Sequence, residues 1–357
     1  PSSKRAADPY IRSMTDLFSR LLGRKPTRPA PLPTIRVLVI EGGGVRGIVT
    51  GQILGRLEDR TGGPLRAHFD LLAGTSSGGI SAMALASDSL SSAYELSDIF
   101  HYRAKDVFRR APNPVRLPSL FRGSRYLAEG FDTVAHDVLG DGWLSGCKLP
   151  CVVASYLIEE GRLKLFGSAA GDDDGAPEDF RLVDLARATT AAPSFFPPAR
   201  VVSTTGREYW CVDGGIYANA PVLQAVTEAR RRFGFDRPIE LVSVGPGGKP
   251  PHITVEQAQQ WGGISWLKPV FDIQVQALNE QTHAFIDSQM PGIRLHRLAV
   301  DWDSLPEDER PTDELDDDRP ENLDQLRAGS VAWLNNNDAQ ITAVAAVLRQ
   351  ARSVNLA

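Results

Sequence analysis

Two short apolar runs in this chain each end in glycines and pass straight into a helical pattern. The first is IRVLVIE, Ile35 to Glu41, which leads into GGGVRG and an amphipathic stretch over residues 48–60. The second is FDLLAG, Phe69 to Gly74, which leads into TSSGG and a stretch rich in Ala, Ile and Met. A compact β-branched run without polar alternation is the pattern of a strand buried on both faces, as in a parallel sheet. Further strands are predicted at 149–157, 162–166, 208–213, 239–244 and 293–299. Helices are predicted at 181–192, 221–232, 254–260, 264–286 and 322–352. Strands alternating with helical segments imply an α/β fold: a central, mostly parallel sheet flanked by helices on both faces. Residues 111–125 and 301–321 carry Pro and charge and read as loops, and there is no internal repeat.

Composition sets the outer limits. At 357 residues, 42% of them apolar and 23% charged, the chain has the make-up of a soluble globular protein with room for one large α/β domain or two small ones. No uninterrupted apolar run reaches the roughly 18 residues that a membrane-spanning helix needs. The opening PSSKRAADPY lacks the apolar core of a secretory leader, so a cytoplasmic location is expected, with peripheral attachment to the inner membrane surface as its variant. A net charge of −5 gives no general affinity for nucleic acid polymers. Its distribution is uneven: residues 1–33 carry seven Lys/Arg against two Asp, and 301–321 carry eleven Asp/Glu against two Arg. The expected layout is a basic N-terminal helix and Pro-rich linker at 1–33, a catalytic domain at 34–300, and an acidic loop with C-terminal helices at 301–357. Within the first part, Tyr10, Ile11, Met14, Leu17, Phe18, Leu21 and Leu22 share one helical face. That face suits a membrane surface, a second copy of the chain, or docking on its own domain. The three cysteines, Cys147, Cys151 and Cys211, lack the spacing and neighbours of a zinc site, so free thiols and no metal are expected.

The chemistry is written in the turns. GTSSGG contains G-x-S-x-G centred on Ser76, between a strand and a helix. A tight strand-to-helix turn of this kind holds a serine with its Oγ exposed, and Gly74 and Gly78 leave the space that side chains would fill. EGGGVRG satisfies the dinucleotide fingerprint G-x-G-x-x-G through Gly42, Gly44 and Gly47. A dinucleotide fold, however, requires an acidic residue at the end of the next strand, and FDLLAG ends in the serine turn instead. The same glycines can present free N–H groups of Gly42, Gly43 and Gly44 as an oxyanion hole, with Arg46 adding positive charge. None of His68, His101, His136, His252, His283 and His296 sits where a triad histidine belongs, and all read as structural or surface residues. Asp213, in EYWCVDGGIYANAP, follows a strand and precedes two glycines. It can take the serine proton if burial raises its pKa, or merely cap the turn. Asn219 reads as a helix N-cap.

Taken together, EGGGVRG, GTSSGG, ARATTAAPSFFPP (Ala186 to Pro198) and DGG at Asp213 resemble the patatin-like phospholipase family, in the family's order and over about residues 34–245. The resemblance implies a Ser76–Asp213 dyad without a catalytic histidine, an oxyanion hole in the glycine-rich loop, and hydrolysis of acyl esters of membrane phospholipids or galactolipids without metal or other cofactor. The sequence departs from the family at Glu41, where Asp is usual, and at Gly245-Pro246-Gly247, where Gly-Thr-Gly is common. Some bacterial members are antiphage effectors switched on by cyclic nucleotides and attack the cell membrane. A cyclic nucleotide activator and a homo-oligomer are therefore expected alternatives as partners. A nucleotide-binding oxidoreductase and a non-catalytic interaction protein are the competing classes.

Overall fold

The computed structural model describes residues 32–112, 123–167, 178–248 and 253–350. The helix expected over 10–22 lies outside these residues, as does His252. The elements run β1 (Ile35–Ile40), α1 (Gly47–Thr61), β2 (Leu71–Thr75), α2 (Ser77–Ser87), α3 (Tyr94–Tyr102), α4 (Ala128–Leu139), β3 (Cys151–Leu157), β4 (Arg162–Gly167), α5 (Leu182–Thr190), β5 (Ala199–Val202), β6 (Glu208–Asp213), α6 (Val222–Phe233), β7 (Ile239–Gly245), α7 (Gly263–Gln289), β8 (Ile293–Ala299), α8 (Pro320–Asn336) and α9 (Asp338–Arg349). Shorter helices of three to six residues lie between them.

The eight strands form one sheet in the order β5-β6-β3-β2-β1-β7-β8, with β4 also paired to β3. From β3 across to β8 every pairing is parallel, whereas β4, β5 and β6 join by antiparallel pairings. The expected α/β architecture, mostly parallel with helices on both faces, is therefore present. All six residues of β1 are buried. Leu38 and Ile40 join the larger core, with Ile48, Ile53 and Leu57 of α1 and Met83 of α2. Val37 and Val39 point to the opposite face and pack with Val222, Ala225 and Val226 of α6 and Ile286 of α7. This two-sided burial is why β1 reads as an apolar run, unbroken from Val37 to Ile40.

Glycine spacing sets how closely α1 lies to α3. Gly47, Gly51 and Gly55 fall four apart on one face, and a Cβ on Gly51 would come within 2.3 Å of the Ser97 amide nitrogen. The single helix expected over 322–352 is two helices. At Asn337 (φ −114°, ψ 18°) the backbone leaves helical geometry and the side-chain Nδ2 donates to Trp333 O, so α8 ends and α9 starts afresh. Strand β5 and helices α3 and α4 are not among the predicted elements: β5 is only four residues long beside Pro197 and Pro198, whereas α4 does carry a helical period in Phe131, Val134, Ala135, Val138 and Leu139. Among the described residues no helix is long and apolar enough to cross a membrane. Cys151 and Cys211 are buried free thiols and Cys147 is half-buried; burial pushes all three thiols up.

Candidate active site

The site is assembled on one edge of β3. Strand β4 pairs with β3 along residues 152–157 and so occupies one edge. On the other edge, β2 runs parallel to β3 and ends with Thr75 opposite Ala154. Strand β6 approaches antiparallel and ends with Asp213 opposite Ser155. Ala154 and Ser155 are consecutive, about 3.8 Å apart at Cα. The C-terminal ends of β2 and β6 thus meet head to head, and Ser76, one residue past β2, lies beside Asp213.

Ser76 has φ 56° and ψ −131°, a left-handed conformation that costs a non-glycine residue about 1–3 kcal/mol. Its surroundings hold it there. The Ser76 N–H donates to Thr189 Oγ1 (2.8 Å), and the Thr189 hydroxyl donates in turn to Ala154 O (2.7 Å). The Ser76 carbonyl accepts from the Gly79 and Ile80 amides at the start of α2. Contact at the turn is too close for side chains: a Cβ on Gly78 would lie 2.2 Å from Ile40 O, and one on Gly74 2.2 Å from Gly78 O. Thr189 is a residue that the sequence reading missed as a site residue, although it sits inside the ARATTAAP motif.

Asp213 is 6% exposed. Burial pushes its carboxyl up to about 6, against the lowering effect of the Gly215 amide and the Ser76 hydroxyl hydrogen-bonded to it. Gly215 N–H donates to Asp213 Oδ1 at 2.7 Å, and the Asp213 N–H donates to Ala191 O at 3.0 Å. A carboxylate held near neutrality beside a hydroxyl is poised to exchange a proton with it.

The glycine loop faces this pair. Gly42 N–H donates to Asn219 O (3.0 Å), and Asn219 Nδ2 donates to Gly42 O (3.3 Å). Asn219 is therefore not the N-cap expected from the sequence. Pro221 occupies that position without a side-chain cap, and the Asn219 amide is drawn away to clamp the glycine loop. Gly43 N–H donates to Ser77 Oγ (3.0 Å), while the Gly44 N–H has no partner among the described residues. The Arg46 guanidinium donates to Gly43 O (3.4 Å) and Gly247 O (3.3 Å), tying the loop to the turn after β7. Gly44, at φ 58°, is covered by Leu315: a Cβ there would lie 2.1 Å from Leu315 O. In this arrangement the Leu315 carbonyl lies over the turn to which the dinucleotide reading assigns a pyrophosphate.

Beneath the loop, Glu41 and His283 are both 5% exposed. Ser243 Oγ lies 2.9 Å from Glu41 Oε1 and 3.0 Å from His283 Nε2. Burial alone would raise the Glu41 pKa, but His283, Arg297 and Ser243 outweigh it and hold the carboxyl below its ordinary range. The longer Glu side chain reaches back to Gly245, where a Cβ would lie 2.5 Å from Glu41 Oε2. Of the other described histidines, His101 pairs with Asp324 and His296 with Glu240, both away from Ser76.

Ser76, Asp213 and the loop open into a cavity of about 700 Å³, whose walls include Phe100, Phe108, Phe131, Val134, Val138 and Phe196. An apolar chamber ending at a few polar groups is the form of a site for a largely apolar small molecule.

A strained serine at a strand–helix turn, backed by a buried carboxyl on a parallel α/β sheet, places the protein among the nucleophile-elbow α/β folds. More narrowly, the chain belongs to the patatin-like phospholipase family, whose profile matches residues 38–226. It is 27% identical to patatin-like protein 1 of Arabidopsis thaliana, over 82% of this chain and 80% of that protein. It is 32% identical to a cGAMP-activated phospholipase of Pseudomonas aeruginosa, over 69% of this chain and 72% of that protein. A second cGAMP-activated phospholipase, from Vibrio cholerae, is 29% identical over 60% of this chain and 65% of its own length.

Proposed function

We propose that the protein is a phospholipase A-type acyl hydrolase working through a Ser76–Asp213 dyad. The observation that carries this reading is the strained Ser76 beside a buried Asp213 whose pKa is pushed up to about 6, in an apolar chamber. With an acyl chain in the chamber, Ser76 Oγ attacks the ester carbonyl while Asp213 accepts its proton. The alcohol leaves with that proton as lysolipid. Asp213 then takes a proton from water, which attacks the acyl-enzyme, and returns that proton to Ser76 Oγ as the fatty acid leaves. The open Gly44 N–H and the amide dipoles at the start of α2 stabilise the oxyanion. The Gly43 N–H adds to them by turning from Ser77 Oγ. Gly42 and Arg46 hold the loop in place through Asn219 and Gly247.

A fluorophosphonate probe tests the nucleophile: covalent labelling of Ser76 is expected. An unlabelled, folded protein would favour an interaction role without turnover. Two relatives named as cGAMP-activated phospholipases favour a second layer, in which a cyclic nucleotide switches the hydrolase on. Mass spectrometry of a membrane lipid extract incubated with the protein, with and without cyclic nucleotides, tests substrate and activation together. Free fatty acid and lysophospholipid released only in the presence of a nucleotide would establish the switch. Equal release in its absence would remove it.

A further inference from the structure

The acidic stretch between β8 and α8 folds back across the mouth of the chamber. Residues 311–319 have no helix or strand, yet the four residues 313–316 are fastened at every position. Asp313 lies 3.9 Å from Arg46, and Glu314 lies 3.3 Å from Lys268 of α7. Leu315 O accepts from Val45 N–H at 2.9 Å. Asp316 takes hydrogen bonds from Arg125, just before α4, and from the Tyr126 hydroxyl. Three cations from three separate elements thus each meet one acid of a stretch whose Cα atoms span at most about 11 Å. All three line the same cavity as Ser76 and Asp213.

We propose that Arg46, Arg125 and Lys268 form a phosphodiester seat at the chamber mouth, which the acidic strap 313–316 occupies until an anionic ligand displaces it. The proposal deepens the acyl-hydrolase reading and rests on it for the place of the scissile ester. A ligand whose acyl chain fills the chamber and whose ester meets Ser76 carries its polar end to this mouth. A phosphodiester there presents one negative charge and paired oxygens, which match a guanidinium fork and an ammonium. Arg125 is already oriented, its guanidinium lying 4.9 Å over the Phe195 ring.

The fastening can be exchanged because much of it is wet. The side chains of Asp313, Glu314 and Lys268 are 63%, 49% and 58% exposed, and such surface pairs contribute at most about 1 kcal/mol each. Asp316, 8% exposed, is the anchor. Displacement does more than free Arg46 and Arg125 from the strap acids and leave Lys268 with Asp272 of its own helix (2.9 Å) as its remaining acidic partner. The Leu315 carbonyl lies directly over Gly44, so lifting the strap uncovers the glycine loop whose Gly44 amide is open. Binding of the anion and access to the oxyanion donors are thereby one event.

Soluble short-chain phosphatidylglycerol and the diacylglycerol of the same chain length are the probes, titrated into full-length Ser76→Ala so that turnover does not enter. Neutralising the exposed strap acids, Asp313→Asn with Glu314→Gln, should tighten the phospholipid about tenfold, and Asp316→Asn should act in the same direction. Arg125→Gln with Lys268→Gln should weaken it about tenfold, with the phospholipid moving far more than the diacylglycerol. A cyclic dinucleotide then separates the two sources of a phosphodiester. Competition with the phospholipid marks a headgroup seat. Tighter phospholipid binding in its presence, lost in Arg125→Gln/Lys268→Gln, marks an activator seat; both outcomes support the proposal. Equal responses of phospholipid and diacylglycerol, or none to either set of substitutions, would overturn it. Fluorophosphonate labelling of wild-type Ser76 is scored separately, so a labelled enzyme without a phosphate response refutes the seat alone.

Discussion

Replacing Asp213 by asparagine should make the folded protein more stable at neutral pH while removing its base. The carboxyl moves from an ordinary value of 3.8 to about 6 because it is buried. Between those pH values the folded chain binds more protons than the unfolded chain, so stability falls as pH rises through the interval. Above pH 6 the full cost of holding the carboxylate in the fold is present. About two pKa units at 1.36 kcal/mol each gives a cost of about 3 kcal/mol at pH 7. By the same linkage it shrinks to roughly half at pH 5 and to well under 1 kcal/mol at pH 4. Asparagine carries no charge to desolvate. Its oxygen can still accept from Gly215 N–H, and its amide can donate to Ser76 Oγ. Urea unfolding of wild type and Asp213→Asn at pH 7, 5 and 4 should therefore show the variant ahead by a margin that narrows with acid. Turnover should fall by a factor on the order of a thousand, since a dyad has no second base. A variant less stable than wild type at pH 7, or a margin that does not change with pH, would refute the buried-carboxylate reasoning. A variant with near-normal turnover would refute the dyad.

Four further outcomes follow from the same geometry. The wild-type kcat/KM for an ester should rise with pH to a plateau, half-maximal near pH 6, as Asp213 loses its proton; a pH–rate profile with its limb near 4 would show an ordinary carboxylate. Ser76→Ala should abolish hydrolysis and fluorophosphonate labelling while the thermal midpoint moves by only a few degrees, and residual activity within a few-fold of wild type would dismiss Ser76 as nucleophile. Thr189→Val keeps shape but leaves the Ser76 N–H without its acceptor, so it should cost about 1–3 kcal/mol in urea unfolding and lower kcat more than it raises KM; equal kinetics would show that the Ser76–Thr189 bond does not position the nucleophile. Gly78→Ala forces a methyl to within 2.2 Å of Ile40 O and should cost roughly 2 kcal/mol or more, measured by calorimetry, whereas an unchanged midpoint would mean that the elbow has room to relax.

The elements that the sequence by itself determined are those encoded by near neighbours in the chain. Ile35–Ile40 announces a two-sided buried strand because five apolar residues of six, broken only by Arg36, can be satisfied in few other ways. Gly74 and Gly78 mark the elbow because only a residue without Cβ fits such a turn. Asp213 at the end of β6 is visible as a carboxylate before two glycines, but the sequence leaves open whether it caps a turn or faces a serine. That choice belongs to the edge of β3, where Thr75 and Asp213 fall opposite consecutive residues. Strand pairing between distant segments has no local signature, and a slip of one residue would turn the carboxyl to the other face. The same limit explains Asn219, whose spacing before Pro221 suits a cap but whose amide is taken by Gly42. It also explains the acidic stretch after β8. A run of like charges reads as solvated surface until the fold places Arg46, Arg125 and Lys268 against it. Helix, strand and turn come from short-range sterics and burial; the partners of Ser76, of the glycine loop and of the strap come from long-range packing, which only the tertiary structure decides.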